Sequence, residues 1–169
     1  MTSRAQVRGI TLIELLVTLA VIAILATIGL PALQNTIRDA RVTGQTNELG
    51  ALINYGRTEA TQAVTEISLQ LEPAGDGWRA CVFNSTLCPA PANCENATQA
   101  GCVLRVSTHQ NVATTPANLR INFDSRGILT SGSVSITLTH NNCTRDSQSR
   151  DLTVLMSGQA TIAPGQCGA

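Results

Sequence analysis

The hydrophobic period of the chain changes twice. From Ile10 to Leu30 the residues ITLIELLVTLAVIAILATIGL are almost wholly apolar. A helix rising about 1.5 Å per residue would carry this run through roughly 30 Å, the thickness of a bilayer core. Beyond Pro31 the apolar residues thin out. Leu33, Ile37, Ala40, Gly44, Leu52, Ile53, Ala60, Ala63 and Val64 fall roughly on one helical stripe, interrupted around Gly44 to Asn47. One helix is therefore predicted over about residues 10–64. Its first half is apolar all round, and its second half is amphipathic and packs on the C-terminal part of the chain. Gly56 would let a neighbouring backbone come close.

From residue 66 the period becomes two, the signature of strands. Seven candidates appear: 66–72, 77–83, 102–108, 118–124, 133–140, 151–157 and 159–164. Turn residues separate them at Pro73–Gly77, Ser125-Arg126-Gly127, Asn141-Asn142 and Ser157-Gly158. The last two candidates are expected to pair as a hairpin about Gly158. The segment from Asn84 to Gly101 reads as a loop. The predicted fold class is α+β: a long N-terminal helix packed on a C-terminal β-sheet or β-sandwich head. The expected divisions are residues 1–9, a membrane helix over 10–31, an amphipathic helix over 32–65 and a β-rich head over 66–169.

Composition narrows this picture. Aromatic residues make up only 2% of the 169 residues, so the core must rest on Leu, Ile, Val and Ala. Formal net charge is zero, so bulk charge does not suggest a nucleic acid or an acidic partner. The six cysteines, Cys81, Cys88, Cys94, Cys102, Cys143 and Cys167, all lie in the polar part of the chain. An even count placed this way reads as disulfides formed in an oxidising compartment. Zinc is the rival, but no two cysteines have the Cys-x2–4-Cys spacing of a knuckle. Six cysteines allow fifteen pairings. Cys143 and Cys167 flank the last two strands and are expected to pair. Cys81–Cys102 and Cys88–Cys94 then form a nested set at the loop. No metal ligand set or cofactor motif is read.

The N-terminus carries the most specific signal. Arg4 and Arg8 precede the apolar run and none lies within it, which keeps the N-terminus in the cytoplasm. The run is longer than the apolar region of a secretory signal, and no small-x-small cleavage site comes after it. Glu14 sits inside it. A charge at mid-bilayer costs on the order of 2.5–3.5 kcal/mol, less near the interface, so Glu14 needs a partner. The run holds none, which points to another chain.

Gly9-Ile10-Thr11-Leu12-Ile13-Glu14-Leu15 resembles the prepilin motif of type IV pilin-like proteins, Gly-Phe-Thr-Leu-Ile-Glu-Leu. The resemblance implies a leader over residues 1–9, cleavage by prepilin peptidase between Gly9 and Ile10, and methylation of the new amine on Ile10. It implies that Glu14 faces the N-terminal amine of a neighbouring subunit during assembly. A charge pair in a low-dielectric setting suits such a role, being strong and sensitive to register. Pro31 matches the proline at which pilin helices bend or locally melt, and proline removes a helix hydrogen bond. The implied location is the bacterial inner membrane, then a pilus or periplasmic filament. The implied partners are other pilins or pseudopilins, prepilin peptidase and the inner-membrane assembly platform.

The order of a long helix and then a β-rich head resembles the GspH/FimT-type branch. Arg57-Thr58-Glu59-Ala60 is similar to its Ala-Arg-Ser-Glu-Ala helix ending, and Ile121 to Gly127 to its strand and turn. Leu152 to Gly158 is similar to its late strand. The DNA-binding members then carry Gly-Arg-x-Arg, whereas this chain reads Gly158-Gln159-Ala160-Thr161. Arg120, Arg126, Arg145 and Arg150 stand beside Asp124, Asp146 and Asp151, which reads as a mixed-charge face. Cleavage at Gly9 leaves nine arginines against eleven acids, a formal side-chain charge of about −2. His109 and His140 lie at strand edges, no nucleophile motif is present, and no catalysis is expected. Trp78 and Met156 read as packing residues. The asparagines at 84, 96 and 142 fit a glycosylation pattern too short to weigh. The expected function is a minor pilin acting in filament assembly, initiation or the tip. The alternatives are a DNA-binding minor pilin in natural transformation and a type II secretion pseudopilin.

Overall fold

The computed structural model describes residues 11–88 and 93–168. Residues 1–10, with the expected leader and the cleavage point between Gly9 and Ile10, lie outside the described residues. The chain divides into one unit ending at Ile37 and a second, Arg38–Ala169.

In the first unit, helix α1 (Leu12–Ala63) follows Thr11, and its side chains up to Ile37 are largely exposed. An apolar helix exposed on all sides is stable only in lipid or among other apolar helices. The helix runs through Pro31.

In the second unit, α1 buries Val42, Gln45, Thr46, Leu49, Leu52, Ile53, Gly56 and Ala60, a series at three- and four-residue spacing. This corrects part of the predicted stripe. Leu33, Ile37, Ala40, Gly44, Ala63 and Val64 are not among the buried residues. The true face includes two polar residues, each satisfied: Thr46 Oγ1 donates to the Val42 carbonyl, and Gln45 serves Trp78. Gly56 faces side chains, not the backbone expected there: a Cβ on it would touch Phe123 at 3.4 Å and Val82 at 3.5 Å.

Strands β1 (Ile67–Ala74), β2 (Gly77–Asn84), β3 (Val103–His109) and β5 (Leu119–Phe123) form one sheet in the order β3-β2-β1-β5. Strands β4 (Val112–Thr115), β6 (Val134–His140), β7 (Ser149–Val154) and β8 (Ala160–Pro164) form a second, in the order β4-β6-β7-β8. Every pairing is antiparallel. One core joins α1 to both sheets through residues such as Leu49, Ile53, Leu69, Trp78, Val82, Ile121, Ile136 and Leu152. Alternation explains it: Trp78, Ala80 and Val82 point one way from β2, while Cys81 and Phe83 point the other.

That other face holds a second small core: Cys81, Phe83, Cys88, Cys94, Ala97 and Cys102. Its cover is helix α2 (Cys94–Gln99), where the sequence reading expects a loop. Asn93 caps α2 by accepting the Asn96 N–H at 2.7 Å. The helix separates Cys94 from Cys102, and the bridges cross instead of nesting: Cys81–Cys94 and Cys88–Cys102, not Cys81–Cys102 and Cys88–Cys94. Cys81 on β2 meets the first residue of α2, and Cys88 meets a residue just past its end. Cys143 is bonded to Cys167. All six cysteines are thus joined in disulfides. Strand β4 is also absent from the sequence reading. At four residues, with Thr114 buried and Thr115 exposed, it gives too little alternation to detect.

Candidate functional site

The residues expected to carry assembly lie at the start of α1. The Glu14 N–H donates to Thr11 Oγ1 at 3.3 Å, so Thr11 acts as a helix cap and Glu14 occupies the third helical position. The cap uses the backbone of Glu14 and leaves its carboxylate exposed. Among the described residues that carboxylate has no ion pair. A carboxylate at this end also sits favourably on the helix dipole. Pro31 lies inside α1 and has no N–H to offer the Thr27 carbonyl, so one rung of the ladder is missing at the end of the apolar run.

The head offers three polar clusters. In the first, Trp78 Nε1 donates to Gln45 Oε1 at 3.0 Å, and Gln45 Nε2 donates to the Gln110 carbonyl at 3.0 Å. This chain of bonds ties α1 to β2 and to the β3–β4 turn. Trp78 is a packing residue, fully buried, and its ring lies 4.5 Å from that of His109.

The second cluster joins Glu48, Ser107 and His109. Ser107 Oγ donates to Glu48 Oε1, and His109 Nε2 lies 2.9 Å from Ser107 Oγ and 3.0 Å from Glu48 Oε2. The Ser107 hydrogen bond holds the Glu48 carboxyl below its usual range, with His109 adding to the effect. Serine and carboxylate converge on the same ring nitrogen. A proton relay needs them on opposite nitrogens. The cluster therefore serves as a tie between α1 and β3.

The third cluster surrounds His140, which is buried at the end of β6. Its Nδ1 accepts the Asn142 N–H at 3.0 Å. Burial lowers its pKa, and Arg38 and Arg41 of α1 push it the same way.

The arginines weighed as a patch are distributed instead. Arg120 lies on β5, bonds Gln70 and stacks on Phe83. Arg126 is held by Asp124 at 2.9 and 3.1 Å. Asp124 also accepts the Ile128 and Arg126 N–H groups, and these bonds depress its pKa. Arg150, on the other sheet, donates to the carbonyls of Ser147 and Ser149. Met156, read as a packing residue, is exposed in the β7–β8 turn. The hairpin closes as expected: Leu155 exchanges bonds with Gly158 and Gln159, and Gly158 takes a φ of 77°.

A long helix, apolar first and amphipathic later, packed on an antiparallel β head, defines a pilin-like subunit. Residues 45–159 match the model for the type II transport protein GspH, and residues 4–30 match the prokaryotic N-terminal methylation motif. The chain belongs to the GspH family of pilin-like proteins. Two crystal structures of the type IV minor pilin FimU from Pseudomonas aeruginosa PAO1 share the fold. Each superposes with a TM-score of 0.55 at 17% identity. They cover 72% and 73% of this chain, and 92% and 88% of their own. No curated protein matches this sequence. The methylation motif and the apolar helix fit a subunit anchored in the inner membrane and belonging to a pilus or pseudopilus.

Proposed function

We propose that the chain is a minor pilin of a type IV pilus, contributing to filament initiation or to the tip. The observation that carries this reading is the division of labour along α1. Residues from Val42 onward bury their apolar face in the head, while the large apolar residues from Leu12 to Leu33 stay exposed among the described residues. Such a helix serves first as a membrane anchor and then as a strand of a filament core. The likeness to a minor pilin fold and the disulfide-braced head support the minor role. Glu14, exposed and unpaired among the described residues, supplies the charge for the N-terminal amine of a neighbour.

The alternative is a pseudopilin of a type II secretion system, favoured by the description of the matching family model. DNA binding has less support: the arginine beside the Asp124 turn is paired, and Gly158 is succeeded by Gln159, Ala160 and Thr161. The test is Glu14→Ala in the native host. The variant should be cleaved and inserted in the membrane yet be largely missing from sheared filaments. Normal incorporation would refute the pairing role of Glu14. Loss of secretion with intact pili would favour the pseudopilin reading.

A further inference from the structure

Arg57 stands apart from the other half-buried arginines of the head. Arg38 donates to the Asn142 carbonyl, Arg79 pairs with Glu72, Arg120 bonds Gln70 and Arg150 caps two carbonyls. Arg57 makes no hydrogen bond or ion pair among the described residues. Its stem, however, is tightly fixed. A Cβ on Gly127 would fall 2.9 Å from Arg57 Cγ, and a Cβ on Gly158 would fall 2.8 Å from Arg57 Cδ. Both glycines have positive φ, 75° and 77°. The arginine of α1 thus lies across two turns, one after β5 in the first sheet and one joining β7 to β8 in the second. The Leu129 N–H donates to the Met156 carbonyl and ties those turns together.

A long side chain normally loses rotamer freedom when it binds a partner. Here that freedom is already spent, while the guanidinium keeps its planar fork of donors unused. The same two turns expose Ile128, Leu155 and Met156, at 36%, 40% and 59%. A preordered arginine with apolar neighbours has the makeup of an interface hot spot.

We propose that Arg57 and the two turns beneath it form a docking point for an Asp or Glu side chain on the head of a neighbouring pilin-like subunit. Charge complementarity argues for the occupant: one unpartnered cation among apolar side chains suits one carboxylate with an apolar surround. A nucleic acid backbone would call for clustered cations, and the other arginine of this corner, Arg126, is already held by Asp124. The inference rests on the filament reading and names the surface by which the head is held there.

The test uses the full chain in filament-producing cells. Arg57→Gln keeps most of the stem and removes the charge. A photo-crosslinking residue at the exposed Gln159 position reports the neighbour. The expected result is a crosslink to a pilin-like head peptide containing Asp or Glu, lost about ten-fold or more in Arg57→Gln, as for a hot-spot arginine. Thermal midpoints of the detergent-solubilised chains should agree, which excludes misfolding as the cause. Arg57→Lys should restore part of the crosslink. An unchanged crosslink in Arg57→Gln would overturn the docking point while leaving the filament reading intact, provided Glu14→Ala still blocks incorporation. A crosslink to nucleic acid, or to a peptide without an acidic residue, would also overturn it. Absence of the wild-type chain from filaments would overturn both.

Discussion

Gly158→Ala and Gly75→Ala are matched perturbations that separate backbone strain from steric clash. Both glycines sit in hairpin turns with positive φ, 77° and 62°. An alanine in that conformation costs about 1–2 kcal/mol through its Cβ. At Gly75 nothing lies within 4 Å of the added atom, so this is the whole cost. At Gly158 the Cβ would fall 2.6 Å from the Gly127 carbonyl oxygen, a backbone atom, and 2.8 Å from Arg57 Cδ. Relieving that overlap must move one turn off the other, at about a further 1–3 kcal/mol, as for other overpacked sites. The two variants should differ by this second amount, roughly 1 M in urea midpoint for a domain of this size. The assay is equilibrium unfolding of the oxidised full chain in detergent, monitored by Trp78 fluorescence. Equal midpoints would refute the claim that the β5–β6 and β7–β8 turns are locked together under Arg57.

Three further outcomes are expected of the head. Gln45→Leu strands the buried Trp78 indole N–H, and should cost about 1–3 kcal/mol by the usual penalty for a buried unpaired group; adding Trp78→Phe should return part of it in the same unfolding assay. Non-reducing peptide mapping should give the crossed bridges Cys81–Cys94 and Cys88–Cys102 beside Cys143–Cys167, and a nested set would contradict the position of α2. His140 titrates lower in the folded chain than in the unfolded one, because burial and the nearby Arg38 and Arg41 disfavour its cation. The unfolded state therefore takes up the proton first, and stability should fall as pH drops from above about 6.5; His140→Phe should flatten that slope in midpoints measured between pH 7.5 and 5.5.

The sequence was most readable where one periodicity acted alone. The apolar run, the helix through residue 63 and seven of the eight strands lie close to their expected places, because each of those strands is at least five residues long. The strand expected at 151–157 starts instead at Ser149 and ends at Val154, since Leu155 begins the turn closed by Gly158. Failures came where polar residues enter the core with partners distant in sequence. Gln45 broke the expected stripe because nothing local reveals that Trp78, 33 residues on, supplies the bond. Helix α2 was hidden because its six residues hold no apolar period, and its stability comes from Cys81, Phe83 and the bridges. An Asn93 cap with Glu95 in the first turn was the only local sign. The importance of Arg57 was equally hidden: its motif was visible, but the glycines that grip it lie 70 and 101 positions later.

Whether the chain is a processed pilin-like subunit is decided at its N-terminus. The decisive measurement is mass spectrometry of the N-terminal peptide of the protein recovered from sheared filaments. The expected peptide begins at Ile10 and carries one added methyl group on its amine. A protein absent from filaments that still begins at Met1 would contradict the pilin-like reading.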